Sequence, residues 1–217
     1  MELASLRSQM NPHFIFNSLN SIQKYIWDNK QEDASEYLTK FSKLMRLTLE
    51  HSMHKLVTLE DELAAVHLYL ELEHRRCNNK FDYTVNFDDN INAQLILLPP
   101  LLLQPYIENA IWHGLLPKQG RGLLSIRLQQ LSANALQCII EDDGIGRKQA
   151  SIIKQQKGSQ STSYGMLITQ QRLNITEANG IVGSVAVEDL VNDYNEAIGT
   201  KIILLIPIET FKKIGNA

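Results

Sequence analysis

Glu108-Asn109-Ala110-Ile111-Trp112-His113-Gly114, followed later by Asp142-Asp143-Gly144-Ile145-Gly146, is the part of the chain whose reading decides its fold. The first segment is the end of a helix that Pro99-Pro100 opens and that runs through Gln104 and Asn109 to His113. Gly114 is a natural stop for it. The second follows a strand at 135–142, itself preceded by one near 123–131, with Ser132-Ala133-Asn134 as the turn between them. Upstream, Phe81-Asp82-Tyr83-Thr84-Val85-Asn86-Phe87 alternates apolar and polar residues and reads as a strand.

Before Phe81 the pattern is helical. Leu3, Leu6, Met10, Phe14, Leu19, Ile22 and Ile26 recur at helical steps, and Tyr37, Leu38, Phe41, Leu44, Met45, Leu47 and Leu49 form a second run. A third begins at Thr58, an N-cap with Asp61 as an acidic variant of the capping box. Downstream, residues 147–163 are polar and rich in Gln, Lys and Ser, which predicts a loop. A helix is expected over 165–178, and two closing strands near 184–188 and 200–207. Helices followed by mixed strands and helices predict an α+β chain. Residues 1–78 would form a helical region and residues 79–217 a two-layer α/β sandwich with a mixed sheet.

A net charge of −3 over 217 residues gives no footing for nonspecific nucleic-acid binding. Cys77 and Cys138 fit no metal spacing and read as free thiols in a reducing compartment. The strongest apolar stretch, 95–103, is interrupted by Pro99 and Pro100. It falls short of the roughly 20 residues that a membrane span needs. Met1 to Leu6 already reads as mid-helix, without a cap. The expectation is a piece of a longer protein, tied to a membrane only through missing upstream segments.

The first candidate for chemistry is His13, in Gln9-Met10-Asn11-Pro12-His13-Phe14-Ile15-Phe16-Asn17. Imidazole is both nucleophilic and largely neutral near pH 7. Pro12 removes a backbone donor and frees the Ser8 carbonyl, so a kink there would expose the ring. Asn17 lies one turn on, placed to orient it. A solvated histidine on a bundle helix is the bland alternative, and it accounts for His51, His54, His67 and His74.

The other candidates form a nucleotide set. Magnesium-bound triphosphate needs hard oxygen ligands and few dedicated protein groups, and the Asn109 carboxamide suits that task. His113, four residues on, shares its face and can reach a phosphate oxygen. Asp142 at a strand end can accept from an adenine amino group, with Gly144 and Gly146 letting the backbone pass close to the base. Gly165 can begin a helix against the phosphates, and Thr200 can add a hydroxyl near adenine. Each motif alone also has a plain reading as a cap or a turn. A P-loop and the His-Arg-Asp and Asp-Phe-Gly kinase set are absent from the sequence.

Taken in order, residues 9–20, 102–114 and 142–146 and Gly199-Thr200 resemble the cytoplasmic catalytic portion of LytS/YehU-type sensor histidine kinases, over essentially the whole chain. The resemblance implies that His13 is the phosphoacceptor, that Asn109 holds Mg²⁺, and that Asp142, with Gly144 and Gly146, reads the adenine of ATP. It implies a homodimer through the helical region, a Bergerat-type ATP-binding fold, and transfer to an aspartate of a response regulator, often of LytTR type. The full protein would sit in an inner membrane with this portion in the cytoplasm.

Three departures stand out. Trp112 replaces the lysine frequent before the motif histidine, which puts more of the phosphate contact on His113. Tyr164-Gly165-Met166-Leu167-Ile168 has one glycine and no asparagine where the family has Gly-x-Gly-Leu-x-Asn, leaving Arg172 as the substitute contact. Pro105 stands where related hydrolases carry a catalytic Glu, which favours transfer to histidine over hydrolysis. The rival readings are a nucleotide-binding dimeric scaffold without kinase activity and an ATP hydrolase of the same fold.

Overall fold

The structure is a computed structural model that describes residues 12–156, 169, 173, 177–178 and 180–210. The Ser8 carbonyl, Gly165 and Arg172 therefore lie outside the described residues, as do the kink and phosphate contacts expected there.

Helix α1 (Pro12–Trp27) and helix α2 (Gln31–Ser52) form a hairpin. Its turn is tight because Asn29 adopts the left-handed conformation (φ 57°), which asparagine tolerates well, and Lys30 N–H donates to the Tyr25 carbonyl at 2.8 Å. Ring contacts hold the two helices together, Phe14 with Phe41 at 6.1 Å and Tyr25 with Tyr37 at 5.9 Å.

Strand β1 (Val57–Thr58) leads into α3 (Leu59–Arg76). The Thr58 cap forms as expected, with Asp61 N–H donating to Thr58 Oγ1 at 3.1 Å. Strands β2 (Phe81–Phe87) and β3 (Ile96–Leu98) follow. Helix α4 (Gln104–Asn109) continues without a break into a π-helical segment, Ala110–Leu115.

Then come β4 (Gly122–Ser132), β5 (Ala135–Asp142), α5 (Gly146–Gln156), β6 (Glu177–Ala178), β7 (Ile181–Val182), β8 (Ser184–Val191), β9 (Ala197–Pro207) and β10 (Glu209–Thr210). The main sheet has five strands in the order β2-β4-β5-β9-β8. Only the β2–β4 pair is parallel, so the sheet is mixed, as expected. Its inner face presents Leu124, Ile126 and Leu128, then Leu136, Cys138 and Ile140, then Ile202, Leu204 and Ile206, all buried. These join the helices in one core with Tyr69, Leu70, Ile107 and Ile111. The outer face carries the Arg127–Glu141 and Lys201–Glu188 pairs. This is an α+β architecture with a two-layer sandwich.

Helix α3 is fastened to the segment that precedes α4. β1 pairs with β3, and β3 pairs with β10, forming a second small sheet. The buried Glu62 carboxylate accepts the backbone N–H groups of Leu101 at 2.7 Å, Leu102 at 2.8 Å and Leu103 at 3.0 Å. A helix N-terminus leaves its first donors unpaired. Here a carboxylate from a distant helix supplies the acceptor.

Four readings are corrected. Pro99-Pro100 does not open the helix, which begins at Gln104. The intervening turn, with Leu101 at φ 54°, is the one that Glu62 captures. Gly114 does not stop it, because the helix widens into the π turn and runs on to Leu115. Residues 147–156 are helical rather than loop. Arg147, Lys148, Gln149, Ala150 and Lys154 are good helix formers, and a helix lying on the surface needs little apolar periodicity. Glu177–Ala178, expected to be the end of a helix, instead pairs as a strand with Ile181–Val182, with Gly180 at φ 80° between them.

Candidate active site

Asp142 ends β5 with 4% of its surface exposed. Strand register sets Thr200 of β9 directly opposite it, also buried, so the two side chains share the inner face. Gly144 N–H donates to Asp142 Oδ1 at 2.9 Å. Burial pushes the Asp142 carboxyl up to about 7. The Gly144 bond opposes that rise, Asp143 and Glu141 add to it, and Lys118 opposes it more weakly.

Three glycines let other backbone close around this carboxylate. A Cβ on Gly114 would lie 2.5 Å from Asp142 Oδ1, and one on Gly144 would lie 2.4 Å from the Gly114 carbonyl carbon. Gly199, at φ 150°, passes so near that a Cβ would overlap the Asp142 carbonyl oxygen. Gly146, at φ 72°, starts α5 against Ala197. The result is a buried acceptor walled by glycine backbone.

Asn109 is half-buried at the junction of α4 with the π segment. His113 is exposed. Partial desolvation, with the Lys154 ammonium adding to it, holds its pKa below the ordinary imidazole value. Glu108 Oε1 accepts from Gln104 Nε2 at 3.0 Å, which ties that carboxylate to the preceding turn. Among the described residues no cluster of three or more His, Cys, Asp or Glu side chains is arranged to hold a metal. The donor set at Asn109 suits a cation that brings most of its own ligands, as a phosphate-bound Mg²⁺ does.

His13 is exposed on α1. Asn17 Nδ2 lies 3.2 Å from its Nδ1 and 3.3 Å from its Nε2, so the carboxamide sits against the ring as the spacing predicted. His13 also meets Trp112 edge-on, with ring centroids 4.5 Å apart. The structure thus brings together His13 and Asn17 at the flank of the helix that bears Asn109 and His113, and, separately, Asp142, Thr200, Gly144 and Gly146.

Several residues were missed. Lys154 lies in a polar stretch whose composition predicts a loop. Glu62 and Arg76 sit on α3 among many charges, and nothing in the sequence separates them from a solvated face. Gly114 was noticed for a different reason. Its neighbour across space is Asp142, which no local pattern reveals.

Residues 1–81 match the histidine kinase family model. The sensor histidine kinase/phosphatase LytS of Staphylococcus aureus is 34% identical over 145 residues, which are 67% of this chain and 24% of that protein. The chain thus spans about a quarter of the length of the curated relatives it matches. Among solved structures, the histidine kinase domain of the blue-light-activated kinase EL346 from Erythrobacter litoralis is 15% identical with a TM-score of 0.49, covering 95% of this chain and 93% of that one. The mycobacterial sensor histidine kinase MprB is 15% identical with a TM-score of 0.49, covering 73% of this chain and 99% of that one. At these scores the likeness in shape is loose, whereas the family-model match over residues 1–81 includes the segment that carries His13. The chain belongs to the histidine kinase family.

Proposed function

We propose that this chain is the catalytic portion of a sensor histidine kinase, which transfers the γ-phosphoryl group of ATP to His13 and from there to an aspartate of a response regulator. The observation that carries this reading is the contact of His13 with Trp112, the immediate neighbour of His113. It supports the reading because it sets a nucleophilic ring beside the helix whose Asn109 and His113 would meet the phosphates.

In this reading the buried Asp142 carboxylate accepts the adenine amino group, with Thr200 beside it and Gly144 and Gly146 shaping the wall. Asn109 holds the Mg²⁺ that accompanies the phosphates, and His113 and Lys154 meet phosphate oxygens. Magnesium supplies charge neutralisation on the phosphates. One ring nitrogen of His13 gives its lone pair to the γ-phosphorus. The bond from that phosphorus to the β,γ-bridging oxygen breaks, and ADP leaves with the electron pair. The ring then releases the proton on its other nitrogen to water. Asn17 holds the imidazole in the required rotation, since its amide can donate to a bare ring nitrogen or, turned over, accept from a protonated one. Glu108 is engaged by Gln104 and Pro105 has no base to offer, which favours transfer over hydrolysis. Gly165 and Arg172 complete the phosphate contacts.

Regions 1–78 and 79–217 are the two working units, and α3 is the part of the first that is fastened to the second. The protein works as a homodimer. Phe16, Leu19, Ile26 and Trp27 on α1 and Leu38 and Leu49 on α2 leave large apolar surfaces exposed, as a pairing face requires. The regulator is of LytTR type, and nucleic acid is not a direct partner. No described helix is long and apolar enough to cross a membrane, and the link to an inner-membrane sensor lies in other segments.

The test is incubation with γ-labelled ATP and Mg²⁺, wild type beside His13→Ala. Acid-labile label on the wild type and none on the variant is the expected result. Label that persists on the variant overturns the assignment of His13. Nucleotide binding without label on either points to a signalling scaffold.

A further inference from the structure

We propose that Trp112 is the docking platform of the phosphoacceptor, an indole held in place by Arg76 that receives the His13 imidazole and sets its approach to the γ-phosphorus. The proposal rests on the reading of His13 as the phosphoacceptor.

The two rings meet at 4.5 Å and 64°, an edge-on arrangement that aromatic pairs favour. Trp112 is itself held. The Arg76 guanidinium carbon lies 4.2 Å from its ring centroid, a cation–π contact. Arg76 in turn donates through Nε to Glu73 Oε1 at 2.9 Å, and Glu73 is fully buried. The fully buried Tyr69 hydroxyl is close enough to Trp112 to feel it. Phe14, next to His13, packs on the Tyr69 ring at 5.2 Å. Two consecutive residues of α1 thus land on two neighbouring rings, one from α3 and one from the π segment. That fixes α1 at two points relative to the phosphate-facing helix.

An indole has one N–H donor, no acceptor and no titratable group near neutrality. Trp112 therefore brings no charge to a phosphate, offers at most one neutral N–H, and cannot act as an acid or base. What it can supply is placement, and phosphoryl transfer depends mainly on placement and charge neutralisation. Substitution of Trp112 should slow transfer and leave nucleotide affinity alone.

The experiment uses the whole chain under single-turnover conditions with saturating γ-labelled ATP. It compares wild type, Trp112→Ala, Trp112→Phe and His13→Ala, and measures nucleotide affinity separately with a fluorescent ATP analogue. The expected result for Trp112→Ala is a rate lower by about tenfold or more with affinity unchanged within about twofold, and recovery of most of the rate in Trp112→Phe. Wild-type rate in Trp112→Ala overturns the platform while His13 remains the acceptor. A parallel loss of affinity and rate also overturns it, since it would mean a role in folding the phosphate wall. Failure of the underlying reading shows separately, as label retained in His13→Ala or as no label on wild type. A second measurement leaves Trp112 intact. In a Trp27→Phe background Trp112 is the remaining one of two tryptophans, and its emission should change when His13 is replaced by alanine. Emission indifferent to His13 overturns the contact.

Discussion

Gly114 presses against Asp142 so closely that a single added methyl would stand 2.5 Å from the carboxylate oxygen. The Asp142 oxygen cannot simply turn away, because the same atom accepts the Gly144 N–H. Gly114→Ala should therefore displace the Asp142 carboxylate, the proposed adenine acceptor, while leaving His113 in place. The expected outcome is a loss of nucleotide affinity of about tenfold, with a stability cost of about 1–3 kcal/mol from overpacking. Titration with a fluorescent ATP analogue and thermal melts check both.

Asp142 is raised to about 7 chiefly by burial. A group whose folded pKa lies above its unfolded value stabilises the fold below the unfolded pKa, and that contribution is lost as pH rises through the folded one. The charged carboxylate thus costs the empty protein up to about 4 kcal/mol above pH 7. Asp142→Asn should raise the melting temperature of the nucleotide-free protein at pH 8, and the gain should shrink toward pH 4. The same variant should bind ATP more weakly. Binding to wild type at pH 7 should release about half a proton, measurable by calorimetry in buffers of different ionisation enthalpy. A variant less stable than wild type at pH 8 would contradict the account.

Glu62 accepts three backbone donors with two oxygens. In Glu62→Gln one oxygen becomes a donor and faces an N–H. In Glu62→Ala all three donors lose their acceptor. Each orphaned buried donor costs on the order of 1–3 kcal/mol. Glu62→Ala should be the more destabilised of the two in urea denaturation. Nucleotide affinity should fall in both, because the captured turn sets the start of α4.

Desolvation first, and Lys154 second, hold His113 below its ordinary pKa, so its ring is neutral at pH 7 in the empty site. Phosphate favours the charged ring. In the Asp142→Asn background, ATP affinity should rise as pH falls from about 8 to about 6, the range in which an imidazole takes up its proton. His113→Ala should abolish that slope. Lys154→Ala should weaken ATP binding several-fold, more at low salt than at high salt. A pH-independent affinity in the Asp142→Asn variant would count against His113 as a phosphate contact.

The order of helices and strands was legible because Phe81–Phe87 and the Thr58 cap carry strong local patterns. The strand ends that hold Asp142 and Thr200 were legible for the same reason, although their pairing across β5 and β9 was not. Helix α5 escaped because its good helix formers lie on the surface and leave no apolar stripe. The π turn escaped because hydrogen-bond spacing leaves no mark in composition, and Gly114 looks the same as a helix stop or as a site of close approach. Lys154, Glu62 and the meeting of Trp112 with His13 and Arg76 depend on contacts between segments far apart in the chain, which periodicity cannot report.

The strand order β2-β4-β5-β9-β8 has a consequence for biosynthesis. β9 fills the place between β5 and β8 yet is translated after both, so β5 must wait on the ribosome with one hydrogen-bonding edge bare. The Asp142 wall is completed only when Gly199 and Thr200 emerge. A nascent chain halted before residue 197 should expose that edge to chaperones and proteases, and nucleotide binding should appear late and all at once.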